Sequence, residues 1–171
     1  MSMRMSQGVE WSIHACHLLA ELPPDGSLSA SDLAEFFDLP TPYLRKHLQA
    51  LSRAGITAAA PGPRGGYRLA RAAHEVTLLD VVEAIDGSAP AFRCTEIRQR
   101  GLAAVPPRLC GRACAIASAM ATAGEAWRRE LASVTIADIS WSFASEAPAI
   151  AARIQASVRD IATHPADSNS T

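Results

Sequence analysis

The stretch between residues 32 and 69 constrains this chain most, because apolar spacing, turn chemistry and charge all point to two helices and a hairpin. Ser29 is placed to cap the first helix, with Asp32 three residues on to complete a reciprocal cap. Leu33 and Phe37 lie one turn apart on its inner side. A turn is expected at Asp38-Leu39-Pro40. Thr41 then reads as the N-cap of a second helix, with Pro42 at the first helical position, where a missing N–H costs nothing. Leu44, Leu48 and Leu51 follow at i, i+4 and i+7 and give this helix an apolar face. The opposite face carries Tyr43, Arg45, Lys46, His47, Gln49 and Arg53, and Gly55 supplies a stop. Residues 56–60 and Tyr67–Leu69 are strand candidates. They are joined by Pro61-Gly62-Pro63-Arg64-Gly65-Gly66, a turn sequence with Arg64 near its tip. The expected unit is a helix-turn-helix followed by a β-wing.

Charge assigns that unit a partner. The chain as a whole has a formal net charge of -1, so gross composition favours no ligand. Yet residues 39–74 contain no Asp or Glu and hold six basic side chains: Arg45, Lys46, Arg53, Arg64, Arg68 and Arg71. A local positive field on a near-neutral protein fits phosphate contact by one face, with double-stranded DNA as the partner. Thr41, Tyr43, Arg45, Lys46, Gln49, Arg53, Arg64 and Arg68 are the candidate DNA-contacting residues. The helix over residues 42–54 is expected in the major groove, and Arg64 at the minor groove or its backbone.

The rest of the chain reads as mostly α. Its 171 residues suffice for a real core, and 49% hydrophobic content with only 5% aromatics favours closely packed helices. No run of 18 apolar residues and no signal-like start occur, so a cytoplasmic protein with no membrane partner is expected. In that compartment four cysteines point to metal ligation or redox chemistry rather than structural disulfides. No nucleophile–base pair, phosphate loop or HExxH motif suggests an enzyme.

Residues 6–21 read as the first helix, with Val9, Ile13, Cys16 and Ala20 as an apolar stripe, and Cys16 buried on it. A second stripe holds Glu10, His14, His17 and Glu21, with Trp11 beside it. A Glu and a His one turn apart can face a common ion, or simply solvent. Thr77-Leu78-Leu79-Asp80 starts a further capped helix that buries Leu78, Val81, Val82 and Ile85 and ends at Gly87. Cys94 sits in the loop that follows. Cys110 and Cys114 lie on one face at the start of a long helix spanning about residues 112–133. Ile116, Met120, Ala123, Trp127 and Leu131 form a narrow stripe along it, as expected for packing between two subunits. A homodimer on a palindromic operator is the natural consequence. Thr135-Ile136-Ala137-Asp138-Ile139 is expected to start a short turn, residues 147–162 a terminal helix, and residues 166–171 a disordered tail. Three regions are expected: 1–87 for DNA binding, 88–140 for the cysteine loop and dimerisation helix, and 141–171 for the terminal helix and tail.

Several segments, in order, resemble the family of winged-helix regulators that includes the iron–sulfur regulator IscR and the nitric-oxide-sensitive repressor NsrR. They are Met3-Arg4-Met5-Ser6, Pro42-Tyr43-Leu44, Gly62-Pro63-Arg64-Gly65-Gly66-Tyr67, the helix opening at Thr77, the Cys94 loop, Cys114-Ala115-Ile116 and Thr135-Ile136-Ala137-Asp138. The resemblance implies a homodimeric transcription regulator able to hold an iron–sulfur cluster. The loop departs from the family's usual three cysteines, since the sixth and twelfth residues after Cys94 are Arg100 and Pro106. Glu10, Trp11 and His14 instead resemble the Glu-Trp-x-x-His segment of the redox-sensing branch typified by RsrR. That likeness implies a 2Fe-2S cluster between subunits, held by Glu10 and His14 of one chain and Cys94 and Cys114 of the other. Cys110 is the rival ligand and Trp11 the group placed to move. Thiolate with imidazole and carboxylate ligation is reasonable iron chemistry. A zinc site, or a metal-free thiol switch pairing Cys94 with Cys110 or Cys114, is the alternative.

Overall fold

The computed structural model describes residues 5–60 and 65–162. Seven α-helices and one two-stranded sheet are found among them: α1 (Gln7–Ala20), α2 (Ala30–Phe36), α3 (Thr41–Arg53), β1 (Thr57–Ala59), β2 (Tyr67–Leu69), α4 (Leu78–Asp86), α5 (Ala115–Ser133), α6 (Ile136–Glu146) and α7 (Pro148–Ile161). The fold is mostly helical with a small antiparallel wing, as the sequence predicts. The wing-tip residues 61–64, Arg64 included, and the polar tail lie outside the described residues.

Three helices begin with reciprocal caps, those at Ser29 and Thr77 as read from the sequence and the one at Thr135 added by the structure. In each, the N-cap hydroxyl accepts from the backbone N–H three residues on, and that residue's carboxylate accepts in return: Ser29 with Asp32, Thr77 with Asp80, Thr135 with Asp138. Such a cap is worth about 0.5–2 kcal/mol. The start of α3 differs from expectation. Pro40 is the N-cap, because its carbonyl accepts from Tyr43 and Leu44 N–H at 3.1 and 3.2 Å, which makes Thr41 the first helical residue and Pro42 the second. At the other end Gly55 adopts φ 69°, a left-handed conformation that a side chain would resist.

Leu44, Leu48 and Leu51 are fully buried, as is Leu33 of α2, and they join Leu18 of α1, Val81 of α4, Ile136 of α6 and Val158 of α7 in one core. Each such side chain contributes about 1.5–3 kcal/mol of transfer free energy. The wing is held to this core at its base. Strand β1 pairs with β2 from Thr57↔Leu69 to Ala59↔Tyr67, and Tyr67 exchanges backbone hydrogen bonds with Leu28 at 2.7 and 3.1 Å. Gly66 is required there, since a Cβ would stand 2.4 Å from the Leu28 carbonyl oxygen.

Two other expectations change. The segment after Thr135 is an eleven-residue helix rather than a short turn, because Ile136, fully buried, anchors it on the core. The long helix starts at Ala115, not near 112, with Cys114 as its N-cap. Cys110 therefore ends a separate turn over Pro107–Leu109 and shares no helical face with Cys114. Helix α5 carries no buried residue along its nineteen, and Ile116 and Met120 are 65% and 40% exposed. Its base is closed: Thr77 and Thr135 form a β-bridge, Leu78 N–H donates to Val134 O and Ile136 N–H to Val76 O, both at 2.9 Å.

His17 joins α1 to α6. Its ring is buried, stacks on Phe143 with centroids 4.9 Å apart, and has Nδ1 2.9 Å from Ser140 Oγ. Burial is the main cause that lowers its pKa from the ordinary 6.5, against an opposing pull from Glu21. A His with a depressed native pKa takes up its proton more readily unfolded, so its stabilising contribution is present above the unfolded value and lost as pH falls below it. The urea midpoint is expected to fall between about pH 7 and pH 5, and to fall less in His17→Leu; equal losses in both proteins would contradict this origin.

Candidate functional site

The outer face of α3 is built by what its inner face buries. With Leu44, Leu48 and Leu51 turned into the core, Tyr43 is 63% exposed, and Arg45, Lys46, Gln49 and Arg53 face solvent beside it. Arg68 is exposed on β2. None of Arg45, Lys46, Arg53 or Arg68 is paired with a carboxylate among the described residues, so their charges stay available to an anionic partner. Arg71 is otherwise engaged: it donates to Glu75 O at 3.2 Å and lies 3.4 Å from Asp80 Oδ2. Thr41 is half-buried at the helix start.

His47 leaves the polar face on which the sequence put it. Its ring nests against Gly8, where a Cβ would meet Cε1 at 2.4 Å, and it meets Trp11 edge-on with centroids 6.0 Å apart. Burial is the first cause that lowers its pKa, followed by Lys46, with Asp86 opposing. Asp86 also accepts from Ser6 N–H and Ser6 Oγ at 3.0 and 2.6 Å, which pins the start of α1 to the end of α4. The only sign of this joint in the sequence is a glycine one turn before a tryptophan, a spacing that by itself names no partner.

On the next exposed strip of α1, Glu10, Trp11 and His14 line a cavity of about 180 Å³ with Phe37 and Leu39 of the α2–α3 turn. The His14 ring lies 5.4 Å from that of Phe37. Glu10 is exposed and His14 half-buried, so both can reach a ligand, whereas His17, predicted on the same strip, points into the core.

The cysteines divide by environment. Cys16 is fully buried, which pushes its pKa up to about 12. Cys94 is exposed, Cys110 and Cys114 are half-buried, and all are free thiols. Cys94 Sγ donates to Glu96 Oε1 at 3.3 Å. Glu96 also accepts from Arg98 Nη2 at 2.8 and 3.0 Å, and Arg98 reaches the Arg112 carbonyl at 3.3 Å. The Arg98 hydrogen bond, then that from Cys94, holds the Glu96 carboxyl below its usual range. Arg98 is held above its ordinary value first by Glu96, with Cys110 and Cys114 adding to the effect. Glu96 and Arg98 did not stand out in the sequence. Among the described residues of one chain, Glu10 and His14 do not meet the cysteines, and no three His, Cys, Asp or Glu side chains converge as a metal would require.

A family model for Rrf2, described as an iron-dependent transcriptional regulator, matches residues 5–141. The chain belongs to the Rrf2 family. YffB of Lactococcus lactis, whose name assigns it to the HTH-type transcriptional regulators, is 28% identical over 138 residues, covering 81% of this chain and 87% of YffB. The HTH-type transcriptional regulator IscR of Photobacterium profundum is 30% identical over 92 residues, about half of each chain at 54%. Among solved structures, CymR of B. subtilis, titled a global cysteine regulator, shares the fold with TM-score 0.64 at 20% identity, over 81% of this chain and 96% of CymR. T. potens IscR superimposes with TM-score 0.63 at 24% identity, over 86% of this chain and 92% of its own. This Rrf2 protein is thus a DNA-binding transcriptional regulator of the winged-helix type and not an enzyme. No helix among its described residues is long and apolar enough to cross a membrane.

The thiol environments predict a labelling pattern. A maleimide added to the native protein should modify Cys94, Cys110 and Cys114, with Cys16 reacting only after denaturation. Rapid native labelling of Cys16, read by peptide mass, would contradict its burial.

Proposed function

We propose that this Rrf2 protein is a homodimeric, redox-responsive regulator that binds a 2Fe-2S cluster between two chains and a palindromic operator through paired α3 helices. The carrying observation is placement. Glu10 and His14 share the rim of a cavity whose far wall is the α2–α3 turn, while Cys94 and Cys114 lie in a solvent-accessible loop before α5. Each chain then carries two half-sites, and a partner completes both. Ile116, Met120, Ala123, Trp127 and Leu131 of α5 are the proposed contact stripe, of which Ile116, Met120 and Ala123 are exposed and Trp127 and Leu131 half-buried.

The donor set fits the group. Two thiolates with one imidazole and one carboxylate carry less negative charge than four thiolates, which favours reduction at accessible potentials. When bound, the cluster supplies a one-electron change of charge. Glu10 and His14 would hold the cluster from α1, and Cys94 and Cys114 from the loop before α5, with Cys110 as the rival for Cys114. Trp11 stands between the cavity and His47 of α3, so a shift of its ring bears on the DNA-contacting helix. A bias of about 1–3 kcal/mol suffices for such coupling. A second reading, a metal-free switch in which Cys94 pairs with Cys110 or Cys114, is supported by the accessibility of all three thiols. A zinc site of the three cysteines and a histidine would be redox-silent.

On DNA, Arg45 and Gln49 are assigned to base edges, with Thr41, Tyr43, Lys46, Arg53, Arg64 and Arg68 at phosphates or the minor groove. With an operator selected from genomic fragments, Arg45→Ala should cost about 1–3 kcal/mol and relax specificity, while Arg68→Ala should weaken all sequences alike and lower the salt slope by about one. Wild-type affinity and slope in both variants would remove this face from the interface.

Protein purified without oxygen should contain about two irons per chain and show visible absorption that changes on reduction. Cys94→Ala is expected to lose the iron, and His14→Ala and Glu10→Ala to hold it in a spectrally altered site without redox-dependent operator affinity. If both α1 variants keep the wild-type iron content, spectrum and response, the ligands lie elsewhere.

A further inference from the structure

We infer that Glu96 and Arg98 form a clasp that positions Cys94 against the segment carrying Cys110 and Cys114. The inference rests on the reading that these cysteines act together. It adds two residues that are not ligands.

The geometry is a chain of contacts with two shared atoms. Glu96 Oε1 accepts from both Cys94 Sγ, at 3.3 Å, and Arg98 Nη2, at 3.0 Å. The same Nη2 reaches Glu96 Oε2 at 2.8 Å and the Arg112 carbonyl at 3.3 Å. Arg112 lies midway between Cys110 and Cys114 in the sequence. The clasp therefore bridges the two ends of the loop through side chains. Backbone conformation supports this. Glu96 sits at φ 49°, ψ 49°, a left-handed state that a non-glycine residue keeps only when its surroundings fix it. That conformation precedes the turn over Ile97–Gln99, and Arg98 O accepts from Val105 N–H at 2.8 Å, so backbone and side chain of Arg98 both tie the loop.

The clasp has an electrostatic consequence as well as a steric one. Cysteines bind a metal as thiolates, so the S–H bond from Cys94 to Glu96 belongs to the metal-free protein, and gathering thiolates in one place accumulates negative charge. A guanidinium among them opposes that accumulation, and it does so without a proton to lose. Arg98 is thus a positioning residue that also sets how much charge the cysteine side tolerates.

The full-length, metal-free protein supplies the first test. Arg98→Ala and Glu96→Ala should each speed amide hydrogen exchange at least tenfold in peptides covering residues 110–116, although the substituted side chain lies elsewhere. Amides of α1 and α3 should keep their protection, which shows that the variants fold. Unchanged exchange across 110–116 overturns the clasp. The second test uses iron-loaded protein. Arg98→Ala should lower the reduction potential, because a nearby positive charge favours the more negative reduced state, and Arg98→Lys should restore most of the shift. A purely structural role would not be rescued by charge alone, and an unshifted potential in Arg98→Ala removes the electrostatic part. If the wild-type chain takes up no iron, the cluster reading fails, and the exchange comparison still decides the clasp by itself.

Discussion

Burial of one face of α3 is the constraint on which the rest of the structure depends. Leu44, Leu48 and Leu51 are committed to a core shared with α1, α2, α4, α6 and α7, and the helix can present only its other side to a partner. Rotating α3 by a quarter turn to offer different side chains would expose leucine and bury arginine, and either change opposes the burial that stabilises the helix. Orientation of the basic face of α3 is therefore set by hydrophobic packing, and its charge is left for a partner. The arginines and lysine of that face need no structural partner of their own, and none of them is paired with a carboxylate among the described residues.

That division explains what was legible in the sequence. Helices announced by a cap and an apolar period, such as α2 from Ser29 and α4 from Thr77, fell where expected within a residue or so. The start of α3 was off by one because both Pro40 and Thr41 are acceptable entries ahead of Pro42, and only the carbonyl that takes the first helical hydrogen bond decides between them. Helix α6 reads as a short turn because its inward apolar residues, Ile136, Ile139 and Phe143, are few and Trp141 lies off their face, so no stripe declares itself until α1 and α7 are known to cover it.

The candidate site was legible in kind but not in assembly. Glu10 and His14 are one turn apart and stay together on α1, as local periodicity requires. His17 leaves them because tertiary contacts with Phe143 and Ser140 claim its ring. The same is true of His47, which reads as a surface residue from helical spacing alone, yet fills the notch left by Gly8 on another helix. Side chains whose roles depend on a distant segment carry no local signature, and Glu96 and Arg98 belong to that class.

The closed base of α5 has a consequence of its own. Where the chain leaves at Leu78 and where it returns at Ile136, adjacent backbone hydrogen bonds and a pair of reciprocal caps hold the two ends side by side. The cysteine loop and α5 therefore leave and rejoin the core through a fixed neck, with α4 itself packed into that core. Loop closure at that neck is already satisfied, so a longer cysteine loop or a different sequence on the outer face of α5 would add little entropic cost and leave the winged helix seated as it is. Such a neck lets the cysteine loop and the outer face of α5 change in sequence without disturbing how α3 is seated on the core.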